Sequence, residues 1–193
     1  NVLFIADEVM TGWGRTGTLL ACNQAGIVPD ILCLSKGLTG GSLPLAVTMA
    51  SPAIFDAHYS TDRARQFFHS SSYTANPIAC AAANANLAIW RDEPVQGRID
   101  ALTARQSKLL TQLSHEAGIE NPRQCGTIIA VDLSATDGGY LANIGPRAYA
   151  FAQERGILLR PLGNTLYVMP PYCITQTDLD AVESCITKIA CAS

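Results

Sequence analysis

Lys36 and Asp7 are the two residues whose types and positions point most directly to reactive chemistry. Lys36 ends the apolar run Ile31-Leu32-Cys33-Leu34-Ser35, and Asp7-Glu8 ends an earlier run, Val2-Leu3-Phe4-Ile5-Ala6. If both runs are parallel strands of an open α/β sheet, an amine and a carboxylate open into the crevice outside the strands' carboxyl ends, where such sheets bind ligands. A lysine able to form a Schiff base, with an acid able to pair with a pyridinium nitrogen, is what pyridoxal phosphate chemistry requires. The plainer roles are an aspartate that caps its own turn and a surface lysine. Gly37, Gly40 and Gly41, which let a ligand approach the backbone closely, favour the reactive reading.

Other residues could complete a site. Ser70, Ser71 and Ser72 precede Asn76-Pro77, and hydroxyls ahead of a helix N-terminus can accept a phosphate beside free backbone amides. Arg160, in Leu158-Leu159-Arg160-Pro161, could grip a substrate carboxylate through two parallel hydrogen bonds. Tyr167 would lie beside Arg160 if Ile157–Arg160 and Thr165–Met169 pair as strands. Gly12-Trp13-Gly14-Arg15-Thr16-Gly17 satisfies the dinucleotide fingerprint, but residues Asp7 through Thr11 separate it from the strand and no helix clearly follows. His58, His69 and His115 lack metal-ligand spacing and read as structural.

These groups need elements to hold them. Val2–Ala6, Ile31–Leu34 and Leu45–Ala50 read as strands buried on both faces. The alanine-rich stretch Asn76–Trp90 predicts a helix, with Pro77 in its first turn. Arg91-Asp92-Glu93-Pro94 marks a bend into a second unit, which divides the chain into 1–95 and 96–193. There, Gln96–Ala117 predicts an amphipathic helix through Ile99, Leu102, Leu109, Leu110 and Leu113, closed by Gly118. A strand over Thr127–Leu133 and a helix over Pro146–Arg155, ended by Gly156, follow. After the two short strands comes a final helix, capped at Thr177-Asp178-Leu179-Asp180.

Composition narrows the classes. The 193 residues are 48% hydrophobic and 15% charged, which suits a globular chain with a sizeable core. A net charge of −3 without a basic run gives no case for nucleic acid. No window approaches the ~18 continuous apolar residues of a membrane span. Seven cysteines without a C-x-x-C pair read as buried, reduced thiols of a cytoplasmic protein. The chain opens directly into a strand leading to Asp7, which suggests the C-terminal portion of a longer protein.

Four segments together resemble the class III, pyridoxal-phosphate-dependent aminotransferases. They are Leu3-Phe4-Ile5-Ala6-Asp7-Glu8-Val9, Thr11 through Gly17, Pro29 through Leu38, and Asn76-Pro77-Ile78-Ala79-Cys80-Ala81-Ala82-Ala83. The resemblance implies a fold-type I transferase of the α/β class. Residues 1–95 would be the C-terminal part of a large, mostly parallel-sheet cofactor domain, and 96–193 a small α+β domain. It implies that Asp7 pairs with the pyridine nitrogen and that Lys36 carries the Schiff base. Ser71 and Ser72 would bind the cofactor phosphate, with Ser72 reaching it from the neighbouring subunit of a homodimer. Serine stands there in place of the family's usual threonine. Arg160 and Tyr167 would line the substrate pocket. The segment from Arg160 to Tyr172 further implies amination of 8-amino-7-oxononanoate in biotin biosynthesis, with S-adenosylmethionine as amino donor. Another class III substrate, or a truncated non-catalytic paralogue, would fit the same motifs.

Overall fold

In the computed structural model, residues 2–135 and 139–191 are described. They form two compact units, Asn1–Val95 and Gln96–Ser193.

The first unit is built on a three-stranded sheet in the order β1 (Ile5–Asp7), β2 (Ile31–Leu34), β3 (Val47–Ala50). β1 runs parallel to β2, with Asp7 opposite Cys33, and β3 is antiparallel to β2, with Val47 opposite Leu34. Ala6, Leu32 and Leu34 pack with Cys22 into a small core. Two expectations need correction. The first strand begins three residues later than the apolar run does: the Phe4 amide is bound by the Asp30 carboxylate, at 2.7 Å, and not by a neighbouring strand. The outer strands are also not buried on both faces; β3 is exposed along its whole length. Among the described residues both are edges of this sheet, with a neighbour on one side only. Helices α1 (Ala21–Ala25), α2 (Pro52–His58) and α3 (Pro77–Asp92) complete the unit. Asn76 caps α3, its side-chain oxygen accepting the amides of Ile78 and Ala79.

The second unit contains α4 (Val95–Leu113, its first residue falling in the first unit), a sheet of β4 (Ile119–Cys125), β5 (Ile128–Leu133) and β6 (Thr165–Val168), and helices α5 (Ile144–Gln153) and α6 (Gln176–Cys191). All neighbouring strands are antiparallel. Alternate β5 residues Ile129, Val131 and Leu133 enter a core with Leu109, Leu113, Leu166, Ile186 and Ile189. Arg105 of α4 ties α6 down through Glu183 at 2.7 Å and Asp180 at 2.5 Å.

Three expectations in this unit are overturned, and one strand was not foreseen. Ile157–Arg160 is not a strand. Among the described residues, the only pairing β6 makes on that side is a bridge between Leu162 and Thr165, where the chain turns back on itself. β4 was not anticipated. The helix before it ends at Leu113, so Gly118, with φ +89°, leads into β4 instead of closing α4. The last helix is capped by Thr175, whose hydroxyl receives the Asp178 amide at 3.2 Å and donates to the Asp178 carboxylate at 2.6 Å. Of the seven free thiols, only Cys22 and Cys185 are buried, while Cys125, Cys173 and Cys191 are exposed. Among the described residues no helix is long and apolar enough to cross a membrane.

Candidate active site

Asp7 is the last residue of β1, and Lys36 follows β2 by two residues, so both stand at the carboxyl end of a parallel pair. Adjacent strands lie about 4.8 Å apart, a spacing that lets groups at their ends meet one planar ring. One Asp7 oxygen accepts the Val9 amide at 3.0 Å, which fixes the carboxylate. Among the described residues its other oxygen has no partner, and neither Asp7 nor Lys36 forms an ion pair.

The neighbouring acid does different work. Glu8 is only 2% exposed. It accepts the amides of Cys22 at 2.7 Å and Ala21 at 2.9 Å and the Thr11 hydroxyl at 2.7 Å. It thereby holds the start of α1 and the glycine-rich tract against the end of β1. Burial alone would raise its pKa, but the donors from Cys22, Thr11 and Ala21 outweigh it and hold the carboxyl below its ordinary value. The same contacts act on Cys22, whose thiol is pushed up by burial and then by Glu8.

Lys36 opens a 3-10 turn, Lys36–Thr39, with φ +46°. A side chain in this left-handed region is strained, and such residues persist where their surroundings over-determine them. Here the Ser35 hydroxyl donates to the Leu45 carbonyl at 2.6 Å, and the Leu38 amide donates to Ser35 at 3.0 Å. Gly37 lies against Trp13, whose ring meets Trp90 edge-to-face at 5.8 Å. The tract following Asp7 and the turn carrying Lys36 are therefore packed directly on one another. Trp13, Glu8 and Asn86, whose amide donates to this turn, were not anticipated as contributors.

The remaining candidates are placed as follows. Ser71 and Ser72 are exposed, in a loop and the turn it enters before α3, with Thr74 donating to Ser71 O at 3.2 Å. The free helix amides expected beside them are absent: Asn76 takes those of Ile78 and Ala79, and Pro77 has none. Arg160 and Tyr167 belong to the second unit. Arg160 is exposed between buried Leu159 and half-buried Pro161, without a partner among the described residues. Tyr167 sits on β6 opposite Ala130, and the expected strand pairing with Arg160 does not form. His58 donates to Arg65 O at 3.0 Å and His69 bonds Thr74 at 2.9 Å. No described group of three His, Cys, Asp or Glu residues could hold a metal. A groove of about 980 Å³ between β3 and α2, lined by Thr48, Phe55, His58 and Phe67 among others, contains neither Asp7 nor Lys36.

Residues 1–190 match the aminotransferase class-III family. The chain belongs to that family. It is 49% identical over 189 residues to adenosylmethionine-8-amino-7-oxononanoate aminotransferase of Synechococcus elongatus, covering 97% of this chain and 44% of that protein. The enzyme of the same name from Geobacter sulfurreducens is 39% identical, with 97% and 43% covered. Among solved structures, the Methanocaldococcus jannaschii enzyme of that name superposes with a TM-score of 0.86 at 34% identity, covering 97% of this chain and 46% of that one. An (S)-enantioselective ω-transaminase from Thermomicrobium roseum gives 0.87 at 31% identity, with 97% and 43% covered. The fold is that of the fold-type I transferases. The chain spans less than half the length of these relatives.

The residues present fit the family's cofactor, pyridoxal phosphate. An anchored carboxylate with one oxygen unpartnered and an unpaired amine held in a strained turn are a donor set suited to a protonated pyridine ring bearing an aldehyde.

Proposed function

We propose that this chain is part of a pyridoxal-phosphate-dependent aminotransferase that converts 8-amino-7-oxononanoate to 7,8-diaminononanoate in biotin biosynthesis, with S-adenosylmethionine as amino donor. The identity to curated enzymes of that name over nearly all of the chain carries the reading. Residues 1–95 would belong to the large cofactor domain and residues 96–193 would form the small domain.

In this reading Asp7 accepts a hydrogen bond from the ring nitrogen and keeps it protonated. The bound cofactor supplies an electron sink for the carbon that bears the amine. Lys36 Nζ would hold the cofactor through its aldehyde carbon. Its Nζ would also serve as the proton-transfer group, acting first as the base and then as the acid at the amine-bearing carbon of the substrate. Ser71 and Ser72 hold the phosphate, Ser72 from the partner subunit of a homodimer. Arg160 binds the substrate carboxylate through its fork of N–H donors, and Tyr167 lines the same pocket. A cytoplasmic location is in keeping with seven unpaired thiols.

The test is product formation by the full-length protein. Incubation with S-adenosylmethionine and 8-amino-7-oxononanoate should give 7,8-diaminononanoate by mass spectrometry, and Lys36→Ala should abolish it. Similar structures include ornithine and acetylornithine aminotransferases at 30–32% identity, so a second reading is a different ω-amino substrate. Turnover of ornithine or 4-aminobutyrate, with none of the keto-amine, would select that reading.

A further inference from the structure

We propose that Asn86 is a positioning residue for Lys36, acting from α3 through two carbonyls of the turn that carries the lysine. The inference rests on the reading of Lys36 as the Schiff-base residue. The Asn86 side-chain amide donates to Gly37 O at 2.9 Å and to Leu38 O at 3.2 Å. Both of its hydrogens are therefore used on consecutive peptide groups, starting one residue after Lys36.

The turn needs an outside anchor. Lys36 holds φ +46°, a conformation that crowds its Cβ against the following peptide. The backbone bonds made within the segment, among them Gly41 N–H to Lys36 O, Leu38 N–H to Ser35 O and Gly40 N–H to Gly37 O, all 3.0 Å, move with it. They fix its shape and leave its placement open. Asn86 is 49 residues distant from Gly37 and stands in the middle of a sixteen-residue helix, so its two bonds tie the turn to a rigid element. Trp13 limits the turn by packing against Gly37. Among the described residues no other donor reaches Leu38 O.

The helix gains nothing local from this residue. Asparagine is a poor helix former, since its side chain competes for backbone groups. The first turn of α3 is satisfied by Asn76, and its buried face is formed by Ala79 and Ala83. Asn86 is thus locally unfavourable, and its polar atoms are spent on the turn after β2. An amide is needed for that: a carboxylate would set oxygen against two carbonyl oxygens, and an apolar side chain would leave Leu38 O without a donor.

The experiment uses the full-length protein, freed of cofactor and then mixed with pyridoxal phosphate. Two quantities are read: the rate at which a borohydride-reducible adduct appears on Lys36, located by peptide mass spectrometry, and the pH midpoint of the loaded protein's visible absorption. Asn86→Leu should slow capture at least about fivefold, the size of effect expected for two lost hydrogen bonds, and shift the midpoint. Asn86→Asp, nearly equal in shape, should be impaired at least as much, and carries the test should the leucine variant not fold. Both variants capturing cofactor at the parent rate with an unmoved midpoint would overturn the inference, whatever happened to their melting temperatures. An adduct on Lys36 in the parent, with unaffected Asn86 variants, sinks this inference alone. A parent adduct on another lysine, or none, sinks the reading of Lys36 as well.

Discussion

Gly37 and Trp13 leave no space between them: a Cβ added to Gly37 would lie 2.6 Å from both Cβ and Cγ of the tryptophan. The tryptophan cannot retreat freely, since Trp90 packs against its ring and its own φ is +61°. Gly37→Ala should therefore destabilise the protein by about 1–3 kcal/mol, the usual penalty for overpacking. Urea unfolding measures the loss, and a parent-like midpoint would show that the turn can shift at little cost.

Ala75 offers the opposite experiment. It has φ +56° in the turn before α3, where its methyl group is a liability. Ala75→Gly should raise stability by roughly 1 kcal/mol, because glycine occupies this region without the steric penalty, less the extra entropy it brings to the unfolded chain. A rise in the denaturation midpoint with an unchanged slope is the expected result.

Glu8 gives a pH dependence of defined sign. Its folded pKa lies below the ordinary value of 4.5, so in the acid range the unfolded chain binds more protons at this site. The stabilisation it confers is fully present above about pH 4.5 and is lost as pH falls through the lower, folded value. In Glu8→Gln, stability should be reduced at neutral pH and should fall less steeply below pH 4.5. Equal slopes in the two proteins across that window would remove Glu8 from the account.

Arg160→Lys keeps the charge and loses the planar fork. If Arg160 holds the substrate carboxylate, KM for the keto-amine should rise about tenfold, with kcat changed far less. Steady-state kinetics that show a fall in kcat alone would assign the arginine another role.

How much of this was legible in the sequence differs residue by residue. Asp7 and Lys36 stood out because each ends an apolar run, and β2 formed over Ile31–Leu34 as its composition suggested. β4 was hidden because Ile119-Glu120-Asn121-Pro122-Arg123-Gln124-Cys125 is mostly polar and contains a proline. The structure accommodates that proline in an edge strand, at a shift of register between Glu120 and Arg123 where Asn121 has φ +47°. Ile157–Arg160 misled in the opposite way, since its aliphatic residues serve packing and not pairing: Leu159 is buried while Leu158 is 72% exposed. Trp13 and Asn86 could not be read at all. Their roles depend on contacts across the chain, and neither periodicity nor local spacing records which backbone carbonyl a distant amide will meet.

Asp7 and Glu8 are chemically near-equivalent neighbours, yet one is exposed and the other is buried in the scaffold, as alternation along an extended chain dictates. Their division of labour is thus a matter of parity. Deleting one residue ahead of Asp7, with β1 kept in its present alignment to β2, would seat glutamate where aspartate now stands and leave the anchoring place to Val9. No acid would be removed, yet the loop that Glu8 secures would lose its tether.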